Sequence, residues 1–426
     1  MSVRELSFQT VYDVMYKDKY SNALLEANLN KSNLNERDRN LANNIVMGTL
    51  QNYLYLEHVI AKLSDLSYQK LSKSVKVILT ISLYQLFFLD KIPEFAICDE
   101  AVNLAARYAG NRSKSFVNAI LRKAALMKEN QSMFLDQLSK KEYLSIKYSF
   151  NMNIINQLYK KYGYDKLESM LKAINEYSKT SIRVNNLKAD RDELIRDLRC
   201  EGFVIDESEH PDCLYISGHA NPSHSRLYHE GKFNLMDKGA MELVLPLEPV
   251  EDDVILDACA SPGGKTTYLS SLMNNKGEIH ACDIHESRVS LLQGNIDRMG
   301  SKNIITHVKD MTILENEFFE KFDKILLDVP CSGIGVSKKR PEIKLKYEYD
   351  ETLLKTQKLL LEQSTHYLKK HGRLLYATCT ILPCENEMMM DWFLKNYPFK
   401  LVKMEFIMPN ENSMGFFYSL MEKIND

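Results

Sequence analysis

The chain has 426 residues, 45% of them hydrophobic and 26% charged, with a formal net charge of −2. That length calls for two or three domains, and the composition is globular rather than disordered, collagenous or disulfide-stapled. No run reaches the roughly 20 apolar residues that span a bilayer, no signal-peptide core can be drawn in Met1–Tyr20, and the eight cysteines form no CxxC pair or zinc-finger spacing. A cytoplasmic chain with reduced thiols is expected, with no bound metal and no membrane anchor. The first 150 residues carry 20 Lys and Arg against 15 Asp and Glu, a mild excess that permits an anionic partner there.

Residues 1–130 read as an all-helical domain. Leu41, Ile45, Val46, Leu50 and Leu54 recur at helical spacing behind a polar start at Asn35, with Asp38 three residues on. Val75 to Leu89 is apolar nearly all round, as the central helix of a bundle must be. Ala101, Val102, Leu104 and Ala105, then Phe116, Val117, Ile120 and Leu121, continue the pattern.

Residues 131–235 read as a small mixed α/β domain. Helical stretches at Asn153 to Tyr162, Asp165 to Ile174 and Asp190 to Arg199 alternate with short strands at Thr180 to Val184, Phe203 to Ile205 and Leu214 to Ile216. Residues 236–426 alternate strands and helices more regularly. Strands are expected at Val254 to Asp257, Glu278 to Asp283, Ile304 to Val308, Lys324 to Asp328 and Arg373 to Ala377. Helices are expected at Lys265 to Met273, Arg288 to Met299 and Leu353 to Leu368. This alternation specifies a Rossmann-like α/β layer with a mostly parallel sheet.

Four of these strands end on an aspartate: Asp257, Asp283, Asp310 and Asp328. Ligands of open parallel sheets bind beyond the carboxyl ends of the strands, so the four acids should converge on one crevice. A single aspartate there would more often cap a helix; four in succession point to a ligand. The first crossover, Ala260 to Thr267 (ASPGGKTT), is glycine-rich and opens into a helix. It is no Walker loop, because the position five before Gly264 is Cys259, and the GxGxxG spacing is absent. Carboxylates would repel a pyrophosphate but attract a sulfonium cation carrying ribose and adenine, with Asp283 placed as acceptor for the ribose hydroxyls.

DVPCSGIG follows the fourth strand and YATCTILPCENE the fifth, so Cys331 and Cys379 each stand just past a strand's carboxyl end. Most free cysteines simply pack, which is the reading kept for Cys98, Cys200, Cys213 and Cys282; Cys384 is left unassigned. A thiol beside a sulfonium crevice is a candidate nucleophile. Cytosine C5 is too electron-poor to take a methyl group directly, and thiolate addition at C6 makes C5 an enamine carbon. Asp328 could meet the N3 and amino edge of the base. The loop beyond Cys331 carries Lys338, Lys339, Arg340, Lys344 and Lys346, a cluster expected to hold phosphates flanking the target nucleotide. The target base must leave any stack to reach the thiols.

With LDACASPGGKTT, LLDVPCSGIGV followed by KKRPEIK, and LLYATCTILPCENE in this order, the chain resembles the Sun/Fmu-type RNA 5-cytosine methyltransferases over nearly its whole length. Its first domain, with LNERDRNLANNIVMGTLQN and KSFVNAILRKA, is similar to the antitermination-factor-type RNA-binding domain that fronts the bacterial ribosomal RNA branch. The resemblance implies methylation of C5 of a cytosine in small-subunit ribosomal RNA, with S-adenosyl-L-methionine as cofactor; a monomer is the expected working form. It implies that Cys379 is the nucleophile, that Cys331 assists product release, and that Cys259, Ala260, Ser261, Pro262, Gly263, Gly264, Lys265, Asp283, Asp310 and Asp328 contact the cofactor. The chain departs from the family's usual pattern before Asp237, where Met236 replaces a common Gln, and at Met414, where Asp commonly precedes GFF. The segment after Tyr148 also lacks the usual Pro and Trp. The alternatives are a transfer RNA or another ribosomal position as substrate, or a non-catalytic assembly factor, which should have lost the cofactor loop or a thiol. A DNA enzyme would use the PC cysteine and need no TC motif.

Overall fold

A computed structural model describes residues 1–176, 179–218 and 221–424. Their contacts divide them into two compact units, 1–175 with 337–348, and 176–336 with 349–426.

The first unit is helical, as its patterning requires. Its helices are Val3–Tyr16, Ser21–Asn30, Glu36–Gln51, Tyr53–Leu63, Lys73–Phe88, Glu94–Tyr108, Ser113–Leu126, Lys140–Tyr148 and Met152–Asn175, joined by short 3-10 turns. The Asn35 side chain accepts from the Asp38 amide at 2.9 Å, capping its helix as the sequence anticipates. Ser139 and Glu142 form a reciprocal capping box. Lys73–Phe88 is the central helix, with Val77, Ile78, Leu79, Ile81 and Leu83 all fully buried. The last helix is interrupted at Gly163, whose φ of +70° separates the two helical stretches read from the sequence.

Residues 337–348 come from the catalytic stretch of the sequence yet belong to this helical unit. Leu345 joins its hydrophobic core. The Asn151 amide donates to the Lys344 carbonyl at 2.9 Å, and the Ser21 amide donates to Glu342 Oε1 at 3.1 Å. This corrects the expectation that all five cations of this loop face phosphates. Lys344 is fully buried, and Lys346 donates to the Val14 carbonyl and to Asp18 at 2.6 and 2.9 Å. Only Lys339 and Arg340 of the cluster are exposed. The cause is packing: apolar Leu345 and Tyr347 carry their charged neighbours inward.

The second unit holds two sheets. The smaller is antiparallel, with β1 (Thr180–Val184), β2 (Val204–Glu207), β3 (Cys213–Ser217) and β4 (Phe233–Leu235) in the order β2-β3-β1-β4. The larger holds β5 (Val254–Asp257), β6 (Glu278–Asp283), β7 (Ile304–Val308), β8 (Phe322–Asp328), β9 (Leu368–Thr378), β10 (Phe399–Ile407) and β11 (Phe416–Lys423), ordered β10-β11-β9-β8-β5-β6-β7. The pairs β5–β6, β6–β7, β5–β8 and β8–β9 are parallel, and β9–β11 and β10–β11 are antiparallel. Helices cover both faces of the larger sheet, and the strands alternate between two cores. Leu256, Ile325, Leu327, Leu374 and Tyr376 face one core; Ile255, Leu326, Leu375 and Ala377 face the other.

From β5 the chain runs outward through β6 and β7, then returns to place β8 on the other side of β5. Strand order therefore reverses between β5 and β8, the position at which such sheets open a ligand crevice. Asp257 and Asp328 end these two strands. Among the described residues no helix is long and apolar enough to cross a membrane, and no group of three His, Cys, Asp or Glu is placed to hold a metal.

Candidate active site

The two thiols meet. Cys331 Sγ and Cys379 Sγ lie 3.2 Å apart, in hydrogen-bond contact, and both are free. The Cys379 amide also donates to Cys331 Sγ at 3.3 Å. Neighbouring parallel strands β8 and β9 deliver them: Asp328 pairs with Ala377, and each cysteine follows within three residues. Gly335 locks the two loops together, because its amide donates to the Cys379 carbonyl at 3.0 Å and a Cβ there would lie 2.2 Å from the Gly415 carbonyl oxygen. Ser332 and Thr380 hydroxyls add a bond of 2.7 Å.

Glu385, within the quoted CENE segment but assigned no role from sequence, supports this pair from behind. It is 2% exposed, and it accepts from the Ser332 amide at 2.9 Å and from Gln357 Nε2 at 3.0 Å. Burial raises its carboxyl pKa, against the bonds from Ser332 and Gln357. Gln357 also donates to the Pro330 carbonyl at 2.9 Å, so one glutamate–glutamine pair fixes the backbone on both sides of Cys331. An acid immediately after a thiol motif is the signal that could have found it.

The shared proton divides the sulfurs chemically. The hydrogen bond from Cys331 lowers the Cys379 pKa, burial opposing and the Lys265 charge assisting, whereas the same bond and burial raise that of Cys331 well above its ordinary value. Cys379 is thus the sulfur that ionises first. Because only a thiolate reacts with alkylating agents, and a lowered pKa moves thiolate formation to lower pH, iodoacetamide should modify Cys379 before Cys331 as pH rises. Cys331→Ala removes the donor and should move the Cys379 curve to higher pH; peptide mass spectrometry of alkylation rates checks both. Earlier labelling of Cys331 in the unmutated protein would reverse the assignment.

Lys265 donates to Asp328 Oδ2 in a short ion pair. Burial works against the Lys265 ammonium, but the Asp328 carboxylate more than compensates and raises its pKa. One residue on, Thr266 donates to Asp257 Oδ2 at 2.7 Å. Asp257 is 1% exposed, and burial pushes its pKa up to about 7, with the Asp328 charge adding and the Thr266 bond opposing. Its Oδ1 is buried without a hydrogen-bond partner among the described residues. A buried carboxylate with an orphaned oxygen suits a cationic ligand and resists an anionic one.

The loop between β5 and the helix Gly264–Leu272 is a cradle. Gly263 has φ +99°, and a Cβ there would lie 2.6 Å from Leu292 Cδ1; a Cβ on Gly264 would meet nothing within 4 Å. The chain therefore turns tightly at Gly263 and leaves open space at Gly264. The Ala260 amide donates to the Cys282 carbonyl at 2.8 Å, Ser261 Oγ donates to the Arg288 carbonyl at 2.9 Å, and the Pro262 carbonyl accepts from Asn295 at 2.8 Å. The Cys259 thiol is held protonated, first by burial and then by Asp257, Asp328 and Asp283.

Asp283 and Asp310 stand further from the thiols, at the ends of the outer strands. Asp283 accepts from the His285 amide at 3.2 Å and lies 3.3 Å from Arg288 Nε. Asp310 closes the next turn, accepting from the Thr312 amide and hydroxyl at 3.0 and 2.6 Å. The two departures flanking Asp237 and at Met414 turn out to be neighbours. The Met414 amide donates to Asp237 Oδ1 at 3.2 Å, and Asp237 also caps the helix Lys238–Glu242.

Comparisons with known proteins agree with this arrangement. Residues 244–422 match the family described as 16S rRNA methyltransferase RsmB/F, residues 1–126 the NusB family, and residues 153–221 an RsmF/B-like ferredoxin-like domain. The probable ribosomal RNA small subunit methyltransferase B of Bacillus subtilis strain 168 is 30% identical over 400 residues, covering 93% of this chain and 89% of its own. The ribosomal RNA small subunit methyltransferase B of Proteus mirabilis is 27% identical, covering 92% of each. Among solved structures, PH0851 aligns over 98% of both chains with a TM-score of 0.81 and 27% identity. A methyltransferase homolog from Pyrococcus horikoshii, 25% identical, aligns over 67% of this chain and 100% of its own with a TM-score of 0.58. With a helical NusB-like domain, a ferredoxin-like sheet and a Rossmann-like layer in sequence, the chain belongs to the S-adenosylmethionine-dependent small-subunit ribosomal RNA methyltransferases of the Sun/RsmB family.

Proposed function

We propose that this protein methylates C5 of one cytosine in small-subunit ribosomal RNA through a covalent adduct at C6. The observation that carries the reading is the pair of thiols 3.2 Å apart, with Lys265 and Asp328 among the charges acting on Cys379. One sulfur is biased to the thiolate and the other to the thiol, a division that a single-cysteine nucleophile would not need.

S-adenosylmethionine, when bound, supplies a methyl group on a sulfonium. The loop Cys259 to Lys265 would hold it, with Asp283 and Asp310 toward its nucleoside end and Asp257 toward its charge. In the chain's own chemistry, the Cys379 thiolate adds to C6 of a flipped-out cytosine, and the electron pair of the 5,6 double bond moves to C5. Asp328, oriented by Lys265, accepts from the base's amino group and holds the ring over the sulfur. C5 gains the methyl group and then loses its proton, and the returning electron pair expels Cys379 as a thiolate. Cys331 is suited to assist this release. Its pKa is raised chiefly by its bond to the Cys379 sulfur; once that sulfur is bonded to carbon the penalty falls, Cys331 gives its own proton to solvent, and its thiolate takes the C5 proton.

Incubation with methyl-labelled S-adenosylmethionine and ribosomal RNA from cells lacking the enzyme, followed by mapping of the label, tests the reading. One labelled 5-methylcytosine in the small-subunit RNA is expected. Label on nitrogen or ribose, or on transfer RNA alone, would overturn it.

A further inference from the structure

Arg183 lies in the small sheet, on β1, opposite Cys213 and Asn234. It is fully buried, and it heads the described residues so enclosed by volume. Its Nε and Nη1 have no hydrogen-bond partner among the described residues, its guanidinium lies 4.9 Å from the Tyr268 ring centroid, and burial lowers its pKa only to about 10, so it stays charged. The charge is met by the Tyr268 ring and by the buried Asp212 carboxylate, which accepts from the Tyr268 hydroxyl at 2.8 Å. A buried charge with two unpaired nitrogens still costs stability, and an apolar side chain of similar volume would ordinarily serve the fold better.

What Arg183 touches explains its presence. Nη2 donates to Thr267 Oγ1 at 3.0 Å, and that hydroxyl passes its own proton to the Gly263 carbonyl at 2.8 Å, with the Gly264 carbonyl at 3.2 Å. A relay in which a charged donor polarises a hydroxyl strengthens the second bond. The two preceding carbonyls of the loop are held by the helix Glu286–Met299: Ser261 accepts from Arg288 Nη2 at 3.1 Å, and Pro262 from Asn295 at 2.8 Å. Three consecutive carbonyl oxygens are thus tied to the protein. The first amides of the helix Gly264–Leu272, which have no intrahelical carbonyl to reach, are left for a ligand.

We propose that Arg183 is a positioning residue for the cofactor: acting through Thr267, it fixes the glycine loop in its ligand-holding conformation without itself touching the ligand. The small sheet is then part of the cofactor site. This rests on the reading that the loop holds S-adenosylmethionine.

The test is the affinity for S-adenosylhomocysteine, measured by calorimetric titration alongside thermal melting. Arg183→Met and Thr267→Val should each weaken binding about tenfold, equivalent to roughly 1.4 kcal/mol. The double variant should be no worse than either single one, because both cut the same relay. Thr267→Ser keeps the hydroxyl and should bind as the unmutated protein does, and Arg183→Lys should recover part of the loss. A lower melting temperature with unchanged affinity, or two losses that simply add, would overturn the proposal. Should Arg183→Met fail to fold, unchanged affinity in Thr267→Val is enough to overturn it. Absence of binding by the unmutated protein would instead refute the cofactor reading itself.

Discussion

Replacing Cys379 with Ala should abolish methyl transfer, lowering turnover on the order of 10⁴-fold or more, as loss of a covalent nucleophile does. Replacing Cys331 with Ala should act at a different step. Addition to C6 and methylation at C5 need only the Cys379 sulfur, so the adduct still forms. Its collapse needs a group to take the C5 proton, and Cys331 is the sulfur 3.2 Å from the departing one. Cys331→Ala should therefore trap protein bound to RNA, visible as a slow band on a denaturing gel that ribonuclease converts to near the size of free protein. The double variant should give no band. A band from Cys379→Ala alone would exchange the two roles, and methylation surviving in both single variants would refute thiolate chemistry altogether.

The parts of this site that sequence could reveal are those set by local rules. Runs ending in Asp257 and Asp283 coincide with β5 and β6, because strands buried on both faces read as largely apolar stretches; Ile304–Val308 coincides with β7, at the half-exposed edge of the sheet opposite β10. The hairpin β10–β11 was not anticipated. Lys400, Lys403 and Glu405 interrupt the apolar pattern of β10 where it forms the exposed edge of the sheet. That two cysteines stand near a crevice follows from their motifs; that they touch follows only from the parallel pairing of β8 with β9. The Lys265–Asp328 pair and the support of Ser332 by Glu385 likewise join residues far apart in the chain. Arg183 escaped notice for the opposite reason. An arginine in a short strand usually faces solvent, and its burial becomes evident only once the helix Gly264–Leu272 is seen to cover it.

Lys344 is the residue for which sequence reasoning pointed the wrong way, and it should be among the most damaging to replace. A lysine in a basic loop beside an RNA-modifying motif suggests a phosphate contact. Instead its ammonium is fully buried, 4.7 Å from the Phe150 ring centroid, and donates to the Gln51 and Tyr148 carbonyls at 2.9 Å each and to Asn175 Oδ1 at 2.7 Å. Burial pushes its pKa down, yet three acceptors match its three protons, so the charged form is held. Lys344→Met would fill much the same volume but leave the Gln51 carbonyl, at the end of helix Glu36–Gln51, with no donor among the described residues, while the Tyr148 carbonyl would keep only Asn175 Nδ2 at 2.8 Å and Asn175 Oδ1 only Gln51 Nε2 at 2.6 Å. The cost should be about 2 kcal/mol, from one buried carbonyl left unsatisfied and two acceptors that each lose one of two donors. Scanning calorimetry should record this as a fall of several degrees in the melting of the helical unit. Lys339→Met, made in the exposed part of the same segment, should leave melting within about 0.5 kcal/mol of the unmutated protein. It should instead weaken RNA binding and flatten its salt dependence, as loss of one phosphate contact does. If the two variants behaved alike in melting, the segment would be an ordinary solvated loop; a difference confined to Lys344 would identify it as a strap built into the helical fold.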